Sequence, residues 1–123
     1  MLRLGTVVMG VSDVHRAAEF WIRALGFKPR DGRVADDWTV LEPADGTGCA
    51  LALGLSETPP QEHPRVHLDL YAETAAEQTA QVERLIALGA QLVDWDLYPD
   101  DPDFVVLADP DGNRFCVIDN SHG

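Results

Sequence analysis

Cysteine is scarce in this chain. Only Cys49 and Cys116 occur among 123 residues, too few for a disulfide framework, and both fall in strand-like runs that predict reduced, partly buried thiols. Long apolar runs are missing too: none approaches the roughly 18 residues a membrane helix needs, so no membrane partner is expected. Met1-Leu2-Arg3-Leu4 leads straight into a strand pattern, without the basic segment, apolar core and cleavage site of a secretory leader, and a cytoplasmic location is the expectation. Basic residues are few, with nine Lys and Arg against twenty-one Asp and Glu and a net charge of -12. Nucleic acid is therefore excluded as a partner, because phosphate binding needs clustered cations. The field suits a cationic or neutral small molecule, although most of the acids serve solubility.

What is present is a pattern written twice. Residues 18–27 (AEFWIRALGF) and 82–92 (VERLIALGAQL) each read as the end of an amphipathic helix closed by Ala-Leu-Gly before a new strand. A strand-like run precedes each helix (residues 4–11 and 66–72), and two or three follow it. At 123 residues the length is that of one ordinary domain. The spacing predicts repeat one over about 1–56, a linker over about 57–64 containing Pro59, Pro60 and Pro64, and repeat two over about 65–123.

In repeat one, Ser12 or Asp13 is a suitable N-cap, and Val14, Ala18, Trp21 and Leu25 follow at helical spacing until Gly26 ends the helix. Strands are predicted over residues 27–31, 38–42 and 49–55, separated by Asp-Gly turn signals. In repeat two, Thr74 caps a helix whose face carries Thr79, Val82, Leu85 or Ile86, and Gly89, and strands follow over 91–95, 103–108 and 114–119. Asp109-Pro110-Asp111-Gly112-Asn113 is the turn between the last two. The predicted class is α+β: two βαβββ modules forming a curled mixed sheet around a cleft.

Alternation along a strand assigns faces. Val66, Leu68 and Leu70 share one face of the strand opening repeat two, expected against the helix, whereas His67, Asp69 and Tyr71 share the other. By the same parity Cys116 and Ile118 oppose Phe115 and Val117. A polar face on a strand of an otherwise apolar sheet marks a candidate cleft. His67 is its best candidate for catalysis, with Asp69 placed to orient the ring; the plainer alternative is an imidazole that bonds water or backbone. Cys116 reads as a cleft-lining thiol rather than a nucleophile, since an apolar strand leaves a thiol inert unless a cation lowers its pKa. In residues 94–103, Trp95 and Tyr98 interleave with acids, a chemistry for stacking on and neutralising a cationic aromatic ligand. Its plainer alternative is a solvated connection with both rings on the core. Trp38 joins the candidate lining on similar grounds.

These segments resemble the vicinal oxygen chelate superfamily of glyoxalases, ring-cleaving dioxygenases and bleomycin-resistance proteins. The helix from Asp13 through Ala18-Glu19-Phe20-Trp21 to Leu25-Gly26-Phe27 is similar to its characteristic first helix. His67-Leu68-Asp69-Leu70, Ala87-Leu88-Gly89-Ala90 and the run from Asp109 to Cys116 resemble its glyoxalase-like subgroup. Metal-using members present a His or Gln from the first strand of each repeat and a Glu from the last. The resemblance places Thr6 and His67 at the first-strand positions and Cys116 at one Glu position, while the other last strand has no carboxylate. Thr6 is a poor ligand, so no resident cofactor is expected, and a divalent metal, if bound, would be held by His67 and Cys116.

The resulting expectation is a protein that binds a small organic molecule in the cleft without the full ligand set, as in drug or toxin sequestration, with Thr6, Trp38, His67, Asp69, Tyr71, Trp95, Tyr98 and Cys116 as lining. The alternatives are a metal-dependent lyase or dioxygenase of the glyoxalase type, and a binding module without a specific ligand. Related proteins often pair, so a homodimer whose second chain completes the site belongs to the enzymatic alternative.

Overall fold

The computed structural model describes residues 1–123. Asp13, in extended conformation, starts the first helix by accepting the Arg16 N–H at 3.1 Å, and Gly26 ends it with φ 68°, where a side chain would be strained. Between these caps α1 (Val14–Leu25) buries Val14, Ala17, Ala18 and Trp21, a stripe at helical spacing. Trp21 is fully buried, with Phe20 set edge-on to it at 5.0 Å. The helix lies against β2 (Phe27–Pro29), β3 (Trp38–Pro43) and β4 (Ala50–Leu55). The opening strand β1 (Thr6–Val11) pairs parallel to β4, giving the order β1-β4-β3-β2. Leu41, Leu51 and Leu53 form the buried side of this sheet.

The second unit repeats the plan. β5 (Asp69–Ala72) pairs parallel to β8 (Arg114–Asp119), β7 (Phe104–Ala108) and β6 (Gln91–Leu92) follow antiparallel, and the order is β5-β8-β7-β6. Helix α2 (Ala75–Leu88) packs on β5 and β8. Its start is a reciprocal cap: the Thr74 hydroxyl accepts the Glu77 N–H, and the Glu77 carboxylate reaches back to the Glu73 N–H, both at 3.1 Å. Phe115, Val117, Leu107, Leu85 and Ala72 form its core. The chain thus has two compact units, Met1–Pro59 and Pro60–Gly123, each a βαβββ module with its own mixed four-stranded sheet, and the class is α+β.

Several strand boundaries shift by one to three residues from expectation, and three of the shifts bear on the site or the thiols. The strand predicted from Val66 begins at Asp69, and Val66 is 78% exposed rather than against the helix, because residues 65–66 form a bend. The strand predicted over 91–95 stops at Leu92, since Trp95 folds its N–H back to the Val93 carbonyl and the chain leaves β7. Cys49 is exposed, because β4 starts one residue later at Ala50; both cysteines are free thiols.

Candidate functional site

The register of the second sheet gathers chemistry on one face. Asp69 on β5 lies opposite Cys116 on β8, and Tyr71 opposite Ile118. On the other side of β8, Val106 and Phe104 of β7 stand opposite Cys116 and Ile118. This face opens on a cavity of about 560 Å³ floored by Phe104, Cys116 and Ile118, with Asp69 and Tyr71 at its edge. His67, just before β5, and Asn120, just after β8, also line it. Trp95, Leu97 and Asp103 come from the connection between β6 and β7.

Hydrogen bonds and ring contacts hold several of these contributors. Gln78 of α2 donates its amide to the carbonyls of Asp103 and Val117, both at 3.0 Å, and the Asp119 N–H adds a 2.7 Å bond to the Asp103 carbonyl. The Asp103 backbone is thereby held beside the cavity it lines. The hairpin between β7 and β8 is held by Asp109, whose carboxylate accepts the N–H groups of Asp111 (3.0 Å) and Asn113 (2.8 Å), with Gly112 at φ 90°. Trp95 contacts both the His63 ring, at 5.1 Å, and the Arg114 guanidinium, 5.8 Å from its centre. His63 in turn bonds Asp96 at 2.7 Å, which holds the Asp96 carboxyl below its usual range.

On this face His67 Nε2 lies 3.0 Å from Asp69 Oδ1. Burial, then the charge and hydrogen bond of Asp69, then the charge of Asp103 push the Cys116 thiol up to about 11. It is therefore a protonated thiol at neutral pH rather than a nucleophile. One ligand atom each from His67, Asp69 and Cys116 lies within 4.8 Å of the others. An imidazole, a carboxylate and a thiol in that number are a donor set that suits zinc with an open position.

Of the residues singled out in the sequence, the fold brings His67, Asp69, Tyr71, Trp95 and Cys116 to this cavity. Tyr98 instead turns its hydroxyl to accept the Val106 N–H at 2.8 Å and sets its ring 5.2 Å from Phe104. It takes the strand donor that a longer β6 would have paired. Thr6 and Trp38 belong to the first unit, on one face of its sheet through their partners Ala50 and Gly54. Trp38 lies on Gly54 so closely that a Cβ there would meet its ring at 3.1 Å. Sequence reading did not name Leu97, Asp103, Phe104, Ile118 and Asn120 as lining; Leu97 and Asp103 lay in the aromatic–acidic segment 94–103, and Ile118 had its parity with Cys116 as a signal.

A second, smaller cavity of about 90 Å³ adjoins the first. It shares His67, Trp95 and Cys116 as walls and is otherwise bounded by Pro64, Val106, Arg114 and Phe115.

The family profile described as a glyoxalase-like domain matches residues 6–118. Similar solved structures include a glyoxalase-related enzyme from Fulvimarina pelagi, at 21% identity and TM-score 0.74, covering 98% of this chain and 89% of that one. A glyoxalase/bleomycin resistance protein/dioxygenase family enzyme from Burkholderia phytofirmans matches at 18% identity and TM-score 0.74, over 96% and 98% of the two chains. A mutant of the genomically encoded fosfomycin resistance protein of Listeria monocytogenes, complexed with Mn(II) and a dihydroxypropylphosphonic acid, matches at 15% identity and TM-score 0.71, over 98% and 94%. These likenesses are of fold. No protein of curated function matches the chain.

Proposed function

Because this chain belongs to the glyoxalase-like domain family, whose profile spans both of its βαβββ modules, we propose that its second unit binds a small organic cation with an aromatic ring. The observation that carries this reading is the composition of the 560 Å³ cavity: Asp69 and Asp103 stand among Tyr71, Trp95 and Phe104. Carboxylates attract a cation, and aromatic faces stack on a flat ring while favouring its positive charge. Binding alone suffices for sequestration, and no group here needs to react. The test is titration with a panel of cationic aromatic compounds followed by tryptophan fluorescence. Saturable quenching, weakened by salt and lost in Asp103→Asn and Trp95→Ala, is expected; uniformly non-saturating responses would sink the reading and favour a module without a specific ligand.

The three clustered donors favour a second reading, a metal-dependent lyase or dioxygenase. His67, Asp69 and Cys116 would hold a zinc-type ion, which when bound supplies a Lewis acid for adjacent substrate oxygens. His67 and Asp69, already 3.0 Å apart, then serve together as ligands. The Cys116 proton must leave first, so metal uptake is proton-linked. Elemental analysis of untagged protein separates the readings: near-stoichiometric metal, lost in His67→Ala, puts the enzyme first.

A further inference from the structure

The smaller cavity lies one alternation further along the same strands, with Phe115 from the opposite face also bounding it. Along β8 the wall runs Ile118, Cys116, Arg114, and along β7 it runs Phe104, Val106. Ile118 and Phe104 line the large cavity only, Arg114 and Val106 the small one only, and Cys116 both. Two residues along a strand advance about 7 Å, so the two chambers are offset by roughly the span of one aromatic ring with a bond at either end.

The chambers differ in chemistry as well as size. The small one is walled almost wholly by carbon. Arg114, its one cation, directs its guanidinium to the Glu62 carbonyl at 2.6 Å and over the Trp95 ring. That positive charge repels a second cation, whereas the large chamber carries Asp69 and Asp103. A cavity of about 90 Å³ takes roughly three non-hydrogen atoms, at about 30 Å³ each. A void of this kind gains from an apolar group, which restores contacts its lining otherwise lacks.

We infer that the small chamber is a specificity subsite for a short alkyl or halogen substituent, and that the ligand class is a para-substituted arylalkyl amine. Its ammonium lies toward Asp69 and Asp103, its ring against Trp95, and its substituent beyond the Cys116 row against Val106. The inference rests on the proposed cationic aromatic ligand and adds an orientation and a size limit to it.

The experiment measures Kd for benzylamine and its 4-methyl, 4-ethyl, 4-isopropyl and 4-phenyl derivatives by amide NMR titration, on the wild type, Val106→Ala and Pro64→Ala. Benzylamine binds, each added carbon up to isopropyl tightens Kd by about fourfold, and the phenyl derivative reverses the gain. Val106→Ala moves the size optimum of the series, taken relative to benzylamine in the same variant, upward. Pro64→Ala, on a half-buried residue outside the sheet, does the same should Val106→Ala fold poorly. Saturable benzylamine binding with a flat alkyl series overturns the subsite and leaves the cation site standing. A rising series whose optimum stays put in both variants also overturns it, since that gain is general hydrophobicity. Absence of binding by every amine overturns the cation site and the subsite together.

Discussion

Asp69 and Cys116 face each other in direct register across the only pair of parallel strands in the second sheet, and the Asp69 carboxylate helps to raise the thiol's pKa. The pair sets the reactivity of the two cysteines apart. Cys116, 8% exposed with its thiol near 11, is expected to resist iodoacetamide at pH 7–8 while exposed Cys49 is alkylated. Asp69→Asn removes one of the raising causes and brings the pH midpoint of Cys116 alkylation down, read by mass spectrometry of labelled peptides. Because the folded thiol holds its proton above the ordinary value of 9.0, stability from this group is full below pH 9 and declines as pH rises toward 11. Melting temperature across pH 8–11 should fall less steeply in Cys116→Ser; equal slopes would contradict this.

Zinc provides a second check. Thermal melts with Zn, Mn, Ni, Co and Fe(II) are expected to show stabilisation by zinc if the three donors act together, and its disappearance in His67→Ala. About half of each of the His67 and Asp69 side chains is solvent-accessible, so His67→Ala costs only about 0.5 kcal/mol of intrinsic stability. An unchanged wild-type melt with every metal leaves the donors as cavity lining.

Tyr98→Phe deletes the acceptor of the Val106 N–H without changing ring packing. Water can replace the hydroxyl in part, so the expected loss is about 1 kcal/mol in denaturant unfolding. Faster hydrogen exchange at the Val106 amide should accompany it; unaltered exchange would mean that the bond does not hold the connection.

Two glycines make a paired test. Gly46→Ala meets nothing within 4 Å and bears only the left-handed backbone cost at φ 75°, about 1 kcal/mol. Gly112→Ala has φ 90° and sets its Cβ 3.0 Å from the Pro60 ring, so it should cost more, about 2–3 kcal/mol. Equal midpoints in urea would mean that the turn does not rest on Pro60.

The fold was legible where caps and period agree. Asp13, the Val14–Trp21 stripe and Gly26 delimit α1, and Asp109 to Asn113 delimit the last hairpin, because these residue types satisfy local backbone demands. Parity also placed His67, Asp69 and Tyr71 together. What it could not place depends on contacts distant in sequence. Asp103 joins the cavity because Gln78 and Asp119 grip its carbonyl, and Tyr98 leaves the wall because Val106 needs an acceptor. Asp69 as a third donor became visible only when β5 and β8 were set in register.

The closure of each sheet within its own unit bears on how the chain is made. Every strand partner of β1 to β4 lies before residue 56. The first module can therefore complete its hydrogen-bonding ladder while the second is still being synthesised, and no unpaired strand of it waits on sequence yet to leave the ribosome.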